Sequence, residues 1–146
     1  MLKGTIMIYL HAGFMIAGLL LLVLGISSAV FMRRHKRWWL TMHKSCAYGT
    51  LLCTIVAIVV AFIMVATSGA PHLKVPHAYL GLFILLLIIT TLTLGIAQFK
   101  IRKKTAMIRR LHRIAGVSTV ILMFINIISG LFLTGFLALD LCILRP

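Results

Sequence analysis

The chain has 146 residues, of which 62% are hydrophobic and only 11% are charged, and its mean hydropathy is +1.17. This composition excludes an ordinary soluble domain, which carries far more charge, and indicates an integral membrane protein. Fifteen basic residues stand against a single acid, Asp140, so the net charge is +14 and the sequence offers no pair of carboxylates for hydrolytic chemistry or a proton relay.

Four apolar runs follow one another along the chain, at roughly 5–32, 41–67, 76–99 and 110–138. Each is longer than the ~20 residues that a helix needs to cross the hydrocarbon, and a helix satisfies its own backbone groups in lipid. The connections are too short to fold by themselves. We therefore predict an all-α fold, an integral membrane up-down four-helix bundle that forms a single domain over residues 1–146.

The first run, 5–32, has features of a secretory signal but is interpreted as a span. It is longer than the apolar core of a signal peptide, lacks a clear cleavage site with small residues, and contains His11. We expect it to be retained as a transmembrane helix.

Most of the positive charge lies in two connections. The connection between spans one and two contains five basic residues: Arg33, Arg34, Lys36, Arg37 and Lys44. The connection between spans three and four contains seven: Lys100, Arg102, Lys103, Lys104, Arg109, Arg110 and Arg113. Only Lys3, Lys74 and Arg145 lie on the opposite side of the membrane from these two connections. The positive-inside rule places both basic connections in the cytoplasm and both termini outside. We interpret the charge as orientation and contact with anionic lipid, not nucleic-acid binding, and leave open a docking patch for an acidic partner or an anionic reductant.

The cysteines do not suggest a redox or zinc motif. Cys46 and Cys53 lie seven residues apart on one face of span two, too far along it for a disulfide, and the chain has no CxxC or CxxCH pattern. They are interpreted as small apolar residues of a membrane helix.

Four of the six histidines fall one per span, in the first turns of each. His35 and His72 lie in connections and are interpreted as solvated. Because successive helices run in opposite directions, His11 and His77 lie near the outer face, whereas His43 and His112 lie near the inner face. The histidines therefore form two pairs at two depths.

Paired histidines at one depth can bind a metal cofactor. Helices one and three, and helices two and four, are diagonal neighbours in an up-down bundle. Two imidazoles facing each other across the bundle axis provide the two axial ligands that a haem b needs. We predict two haem b groups, with His11 and His77 ligating one iron and His43 and His112 the other. The alternative is that each histidine is an interfacial residue of its own helix end.

Small residues recur at a fixed distance from the four histidines. Eighteen residues make five turns and rise about 27 Å, so position +18 lies on the histidine's face near the opposite membrane surface. These positions hold Ala29, Ala61, Gly95 and Gly130, and the last two spans also carry glycine at +4, Gly81 and Gly116. We predict that the small side chains make room for the second macrocycle. The alternative is that they promote close helix contact.

The histidine motifs "LHAGFM", "TMHKSCAYG", "VPHAYLG" and "RLHRIAG" resemble those of the cytochrome b561 family over essentially the whole chain. The resemblance implies that the first and third histidines bind one haem b, the second and fourth bind the other, and electrons cross the membrane between them. Eukaryotic members have an extra span on each side of this core. This chain has only the four core spans and in that respect is similar to compact prokaryotic cytochromes. No residue can be assigned to the binding of ascorbate.

The predicted function is transmembrane electron transfer in a prokaryotic cytoplasmic membrane, with a donor and an acceptor on opposite faces. The partner could be quinol or a redox protein, and a homodimer or larger complex stays open. Two alternatives remain: a haem b anchor subunit of a quinol- or metal-reactive oxidoreductase, and a non-redox structural membrane protein. We assign no catalytic residue, and enzyme activity stays undecided.

Overall fold

The computed structural model describes residues 2–34, 37–69, 72–101 and 104–135, with only the backbone for residues 2 and 3. Four α-helices make up most of this part of the chain: α1 Leu2–Ser27, α2 Trp39–Ser68, α3 Pro76–Lys100 and α4 Thr105–Leu133. α1 continues into a short π-helical segment, Ser28–Met32. All four helices are long and apolar enough to cross a membrane. The all-α four-helix membrane fold is therefore confirmed.

The observed helix bounds lie close to the predicted spans. The first three agree within three residues at each end when the π-helical segment is counted with α1. The fourth helix begins at Thr105, before the predicted 110, and ends at Leu133, where Thr134 and Gly135 form a turn. Residues 136–138 of that predicted span lie outside the described residues. So do Asp140, Arg145, His35, Lys36, Arg102 and Lys103.

Residues between α2 and α3 end one helix and start the next. Gly69 has φ +68°, the left-handed conformation that commonly follows the last helical turn and that glycine adopts without strain. Val75 is extended, as a residue before proline prefers, and Pro76 occupies the first helical turn, where its missing N–H costs nothing. These local signals fix where α3 begins, one residue before His77.

The helices are arranged as two antiparallel hairpins. α1 packs extensively against α2, and α3 against α4, whereas α1 meets α4 and α2 meets α3 over smaller areas. α1 and α3 are diagonal across the bundle, as are α2 and α4. This arrangement places the starts of α1 and α3 at one end of the bundle and the starts of α2 and α4 at the other. We call the latter, with its connections around residues 33–38 and 101–104, the basic end.

Glycines allow α1 to approach α2 closely. A Cβ atom added at Gly25 would lie 3.0 Å from Cβ of Cys46, and one added at Gly18 would lie 3.4 Å from Cβ of Cys53. Both cysteines are free, in agreement with their interpretation as small packing residues. Close approach of small residues is how membrane helices gain van der Waals contact where lipid removes the hydrophobic driving force.

The bundle carries many large apolar side chains on its outside, and its interior combines apolar side chains with buried hydroxyls. Phe31, Tyr9 and Leu52 are among many large side chains that face outward, where lipid surrounds a membrane protein. The buried hydroxyls of Thr50, Thr54 and Thr119 donate to carbonyl oxygens four residues earlier in their own helices. These bonds satisfy the polar atoms of a core that also contains Met15, Ala57, Ile84, Ile88 and Met123.

Candidate functional site

The four span histidines meet in two pairs, one near each end of the bundle. The ring centroids of His11 and His77 are 6.0 Å apart, with their planes at 73°. Those of His43 and His112 are also 6.0 Å apart, with their planes at 77°. The bundle thus brings together diagonal helices at two depths, as the order of the histidines along the chain predicts.

The separation within each pair suits one metal ion between two rings. A metal–imidazole bond is about 2 Å long and a ring nitrogen lies about 1 Å from the ring centre, so two imidazoles on opposite sides of one metal have centres about 6 Å apart. The described residues contain no group of three or more His, Cys, Asp or Glu side chains that could hold a metal alone. Two protein ligands fit a metal whose remaining ligands come from a macrocycle.

Hydrogen bonds define the tautomer of three of these histidines. Nδ1 of His11 lies 2.8 Å from the carbonyl oxygen of Ala57, and Nδ1 of His43 lies 2.8 Å from that of Gly25. Nδ1 of His112 lies 2.9 Å from the carbonyl oxygen of Thr91. A carbonyl can only accept, so each Nδ1 carries the proton. Nε2 is then the nitrogen with a free lone pair, the state required of a metal ligand with an oriented ring.

The fourth histidine reaches a carbonyl through a hydroxyl. Nδ1 of His77 lies 3.1 Å from Oγ of Ser129, and that hydroxyl donates to the carbonyl oxygen of Asn126 at 2.8 Å. The serine proton is committed to the carbonyl, so Oγ accepts from Nδ1–H. His77 therefore has the same tautomer as the other three.

The carbonyls that receive these bonds, directly or through Ser129, share one position relative to the histidines. Each carbonyl belongs to the residue fourteen places after a histidine in its own helix: Gly25, Ala57, Thr91 and Asn126. Fourteen residues rise about 21 Å, which carries the acceptor to the far end of the helix. Within each hairpin the hydrogen bonds are reciprocal, because the histidine of each helix bonds to an acceptor on the other helix.

A cavity surrounds each pair. The first, of about 260 Å³, is lined by His11 and His77 together with mainly apolar side chains. The second, of about 380 Å³, is lined by His43 and His112, and Lys44 and Lys100 also line it. Among the described residues, lysine and arginine line only the second cavity. The two sites therefore share their ligand geometry and differ in charge.

Two of the predicted glycines lie directly against a histidine ring. A Cβ atom at Gly130 would be 2.8 Å from Cε1 of His77, closer than real Cβ contacts allow, and one at Gly95 would be 3.1 Å from Cε1 of His112. Gly130 lines the first cavity and Gly95 the second. Both make room for an imidazole of the neighbouring helix, whereas the sequence predicts room for a macrocycle.

The other predicted small residues are placed differently. Ala61 lines the first cavity, and a Cβ atom at Gly81 would meet Nδ2 of Asn126 at 3.5 Å. Gly116 is buried, and a Cβ atom there would make an ordinary 3.8 Å contact with Thr91. Ala29 lies in the π-helical segment and is not among the residues lining the second cavity. The wider π turn rotates the face that an unbroken α-helix would present.

Asn126 is a buried polar residue with an unsatisfied atom. Its side chain is 1% exposed, lines the first cavity, and has an Oδ1 atom without a hydrogen-bond partner among the described residues. A buried polar atom of this kind calls for a water or a ligand. In the first cavity, this atom is an available acceptor for a water or a bound group.

Two further ring side chains lie beside the sites. His72 is exposed and stacks on Phe62, a lining residue of the first cavity, with centroids 5.3 Å apart. At the basic end, the indole of Trp39 lies 6.5 Å from the ring of His43. Neither residue completes a set of metal ligands.

The chain is a membrane helical bundle with paired imidazoles on facing helices, the class of architecture in which cofactor and metal sites are built from the bundle core. A family profile described as eukaryotic cytochrome b561 matches residues 10–137, which is most of the chain and includes all four histidines. The chain belongs to the cytochrome b561 family. No curated protein and no solved structure matches it. It is therefore an integral membrane haem b protein of a family that transfers electrons across membranes, in a lipid environment and with redox partners.

Proposed function

We propose that the chain transfers single electrons across the membrane through two haem b groups. His11 and His77 would hold one haem, in the first cavity, and His43 and His112 the other, in the second. The observation that carries this proposal is the geometry of the pairs, with 6.0 Å between ring centres and Nδ1 of all four rings engaged in hydrogen bonds.

The protein's own contribution is to hold ligands and exclude water. When bound, haem iron supplies reversible one-electron chemistry. Both histidines of a pair would be ligands of the iron, an arrangement that would favour electron transfer over binding of oxygen. Gly95 and Gly130 make room for the ligating rings themselves, and Ala61 adds a small side chain to the lining of the first cavity. Lys44 and Lys100 supply positive charge that suits the carboxylates of a haem in the second cavity.

The charge distribution supports one orientation of this pathway. The basic end would face the cytoplasm of a prokaryotic cell, with both termini on the other side, because cytoplasmic connections of membrane proteins are rich in lysine and arginine. Electrons would enter at one face and leave at the other, to or from a quinol or a redox protein.

Purified protein in sealed vesicles tests the proposal. With ferricyanide trapped inside and dithionite added outside, the trapped ferricyanide should be reduced only in vesicles that contain the protein, and the protein should carry two haem b groups per chain. Empty vesicles are the control. Ferricyanide that stays oxidised while the haem bands are fully reduced would contradict transmembrane transfer, and protein without a Soret band would favour a non-redox structural role.

A further inference from the structure

Two serines occupy equivalent positions in α4 and in the segment that follows α1. Ser28 and Ser129 each lie seventeen residues after a histidine, three after the residue whose carbonyl faces the opposite histidine. The hydroxyl of Ser28 donates to the carbonyl oxygen of Gly25 at 2.7 Å, and that of Ser129 donates to the carbonyl oxygen of Asn126 at 2.8 Å. No serine occupies the corresponding position in α2 or α3, where Val60 and Leu94 stand.

The two serines differ in how they meet the imidazole. At Gly25, one carbonyl oxygen receives both the hydroxyl of Ser28 and Nδ1–H of His43. At Asn126, the hydroxyl of Ser129 accepts from Nδ1–H of His77 and donates to the carbonyl, which itself also faces His77. Ser28 is therefore a competitor for the acceptor of His43, whereas Ser129 adds an acceptor for His77.

The remaining two histidines provide an internal reference. His11 and His112 donate to the carbonyls of Ala57 and Thr91, which receive no second side-chain donor among the described residues. Each proposed haem thus has one ligand on an unshared carbonyl and one ligand with a serine at its acceptor.

The acceptor of Nδ1–H influences the electron density that an imidazole gives to a metal. A strong acceptor increases ligand basicity, which stabilises the ferric state, and the hydrogen bonds of axial ligands are among the factors that set haem potentials. A carbonyl shared by two donors is a weaker acceptor for each. A hydroxyl that donates its own proton onward is a better acceptor than a hydroxyl that donates none, because chains of hydrogen bonds polarise one another.

We propose that Ser28 and Ser129 are positioning residues that set the potentials of the two haems in opposite directions. This inference rests on the proposed function. Ser28 weakens the bond from His43 and so raises the potential of the haem in the second cavity. Ser129 adds an acceptor for His77 and so lowers the potential of the haem in the first cavity. Together they favour an electron on the haem at the basic end.

Potentiometric titration of the holoprotein, with the two haems resolved by their α-bands, tests the proposal through single substitutions. Ser28→Ala should lower the potential of the second-cavity haem and leave the other unchanged. Ser129→Ala should raise the potential of the first-cavity haem and leave the other unchanged. Ser28→Thr and Ser129→Thr keep a hydroxyl and should restore the wild-type values.

Thr54→Ala is the matched control, because it removes a fully buried hydroxyl that donates to its own helix and lies outside both cavities. It should leave both potentials unchanged. Shifts of the same sign, shifts in the wrong haem, or no shift in a protein that holds both haems would overturn the role of the serines. That last result would leave the proposed electron transfer intact, whereas wild-type protein without haem would refute the proposed function itself.

Discussion

The absence of one methyl group at position 130 determines how closely α4 can approach the ring of His77. A Cβ atom there would lie 2.8 Å from Cε1 and 3.4 Å from both ring nitrogens. The ring cannot simply rotate away, because Nδ1 is bonded to Ser129. At Gly95 the corresponding contact is 3.1 Å, which a displacement of a few tenths of an ångström would relieve.

Gly130→Ala should displace His77 and remove the first-cavity haem, so the haem-to-protein ratio should fall by about half. Gly95→Ala should retain the second haem with an altered potential. The intrinsic preference of a helix acts in the opposite direction, since alanine is favoured over glycine by roughly 0.5–1 kcal/mol. A loss of haem would therefore reflect the contact with the ring.

Gly13→Ala is the control for this substitution, because a Cβ atom at Gly13 meets nothing within 4 Å. It should keep both haems and the wild-type spectrum. Gly130→Ala protein with two haems of unchanged potential would show that the imidazole tolerates the added methyl group.

At the scale of helices, the sequence predicts the spans and the depth of each histidine well. Run length, Pro76 and the alternating direction of the spans are sufficient for that, and the diagonal pairs are found as expected. Counting eighteen residues from His77 and His112 also gives Gly95 and Gly130, which lie against histidine rings. It does not place Ala29 in the second cavity, because the π-helical segment changes the turn angle and Gly25 approaches His43 instead.

The hydrogen-bond acceptors of the histidines could not be predicted in the same way. Three of them are main-chain carbonyls, which every residue possesses, so Ala57 and Thr91 carry no signature in the sequence. Ser129 does carry one, because it and Ser28 both lie seventeen residues after a histidine. The repeated interval is visible in the sequence, but whether each hydroxyl meets a histidine or its carbonyl depends on how the neighbouring helix approaches.

Across the whole molecule, positive charge is concentrated at one end of a nearly uncharged bundle. Arg109 and Arg113 flank His112 on α4 and are exposed, and Lys44 and Lys100 line the second cavity. Positive charge stabilises the reduced, more negative form of a haem. We therefore expect the second-cavity haem to have its potential raised by the basic end.

Charge reversal at Arg109 and Arg113, as Arg109→Glu with Arg113→Glu, should lower the potential of that haem. The shift should shrink as salt is added, since the screening length falls from about 30 Å at 0.01 M to about 3 Å at 1 M. Lys74→Glu, at the opposite end, should leave the second-cavity haem unchanged. A potential that does not respond at low salt would contradict the proposed influence of the basic end.

The central claim is that two histidine pairs, each drawn from diagonal helices, hold one haem apiece. The most direct measurement is the haem-to-protein ratio, with reduced-minus-oxidised spectra, for His77→Ala and His43→Ala, and with His72→Ala as control. We predict that each of the first two variants loses one haem and keeps the other at its own potential, while the control keeps both. Retention of both haems with unchanged spectra in either span variant would contradict the pairing.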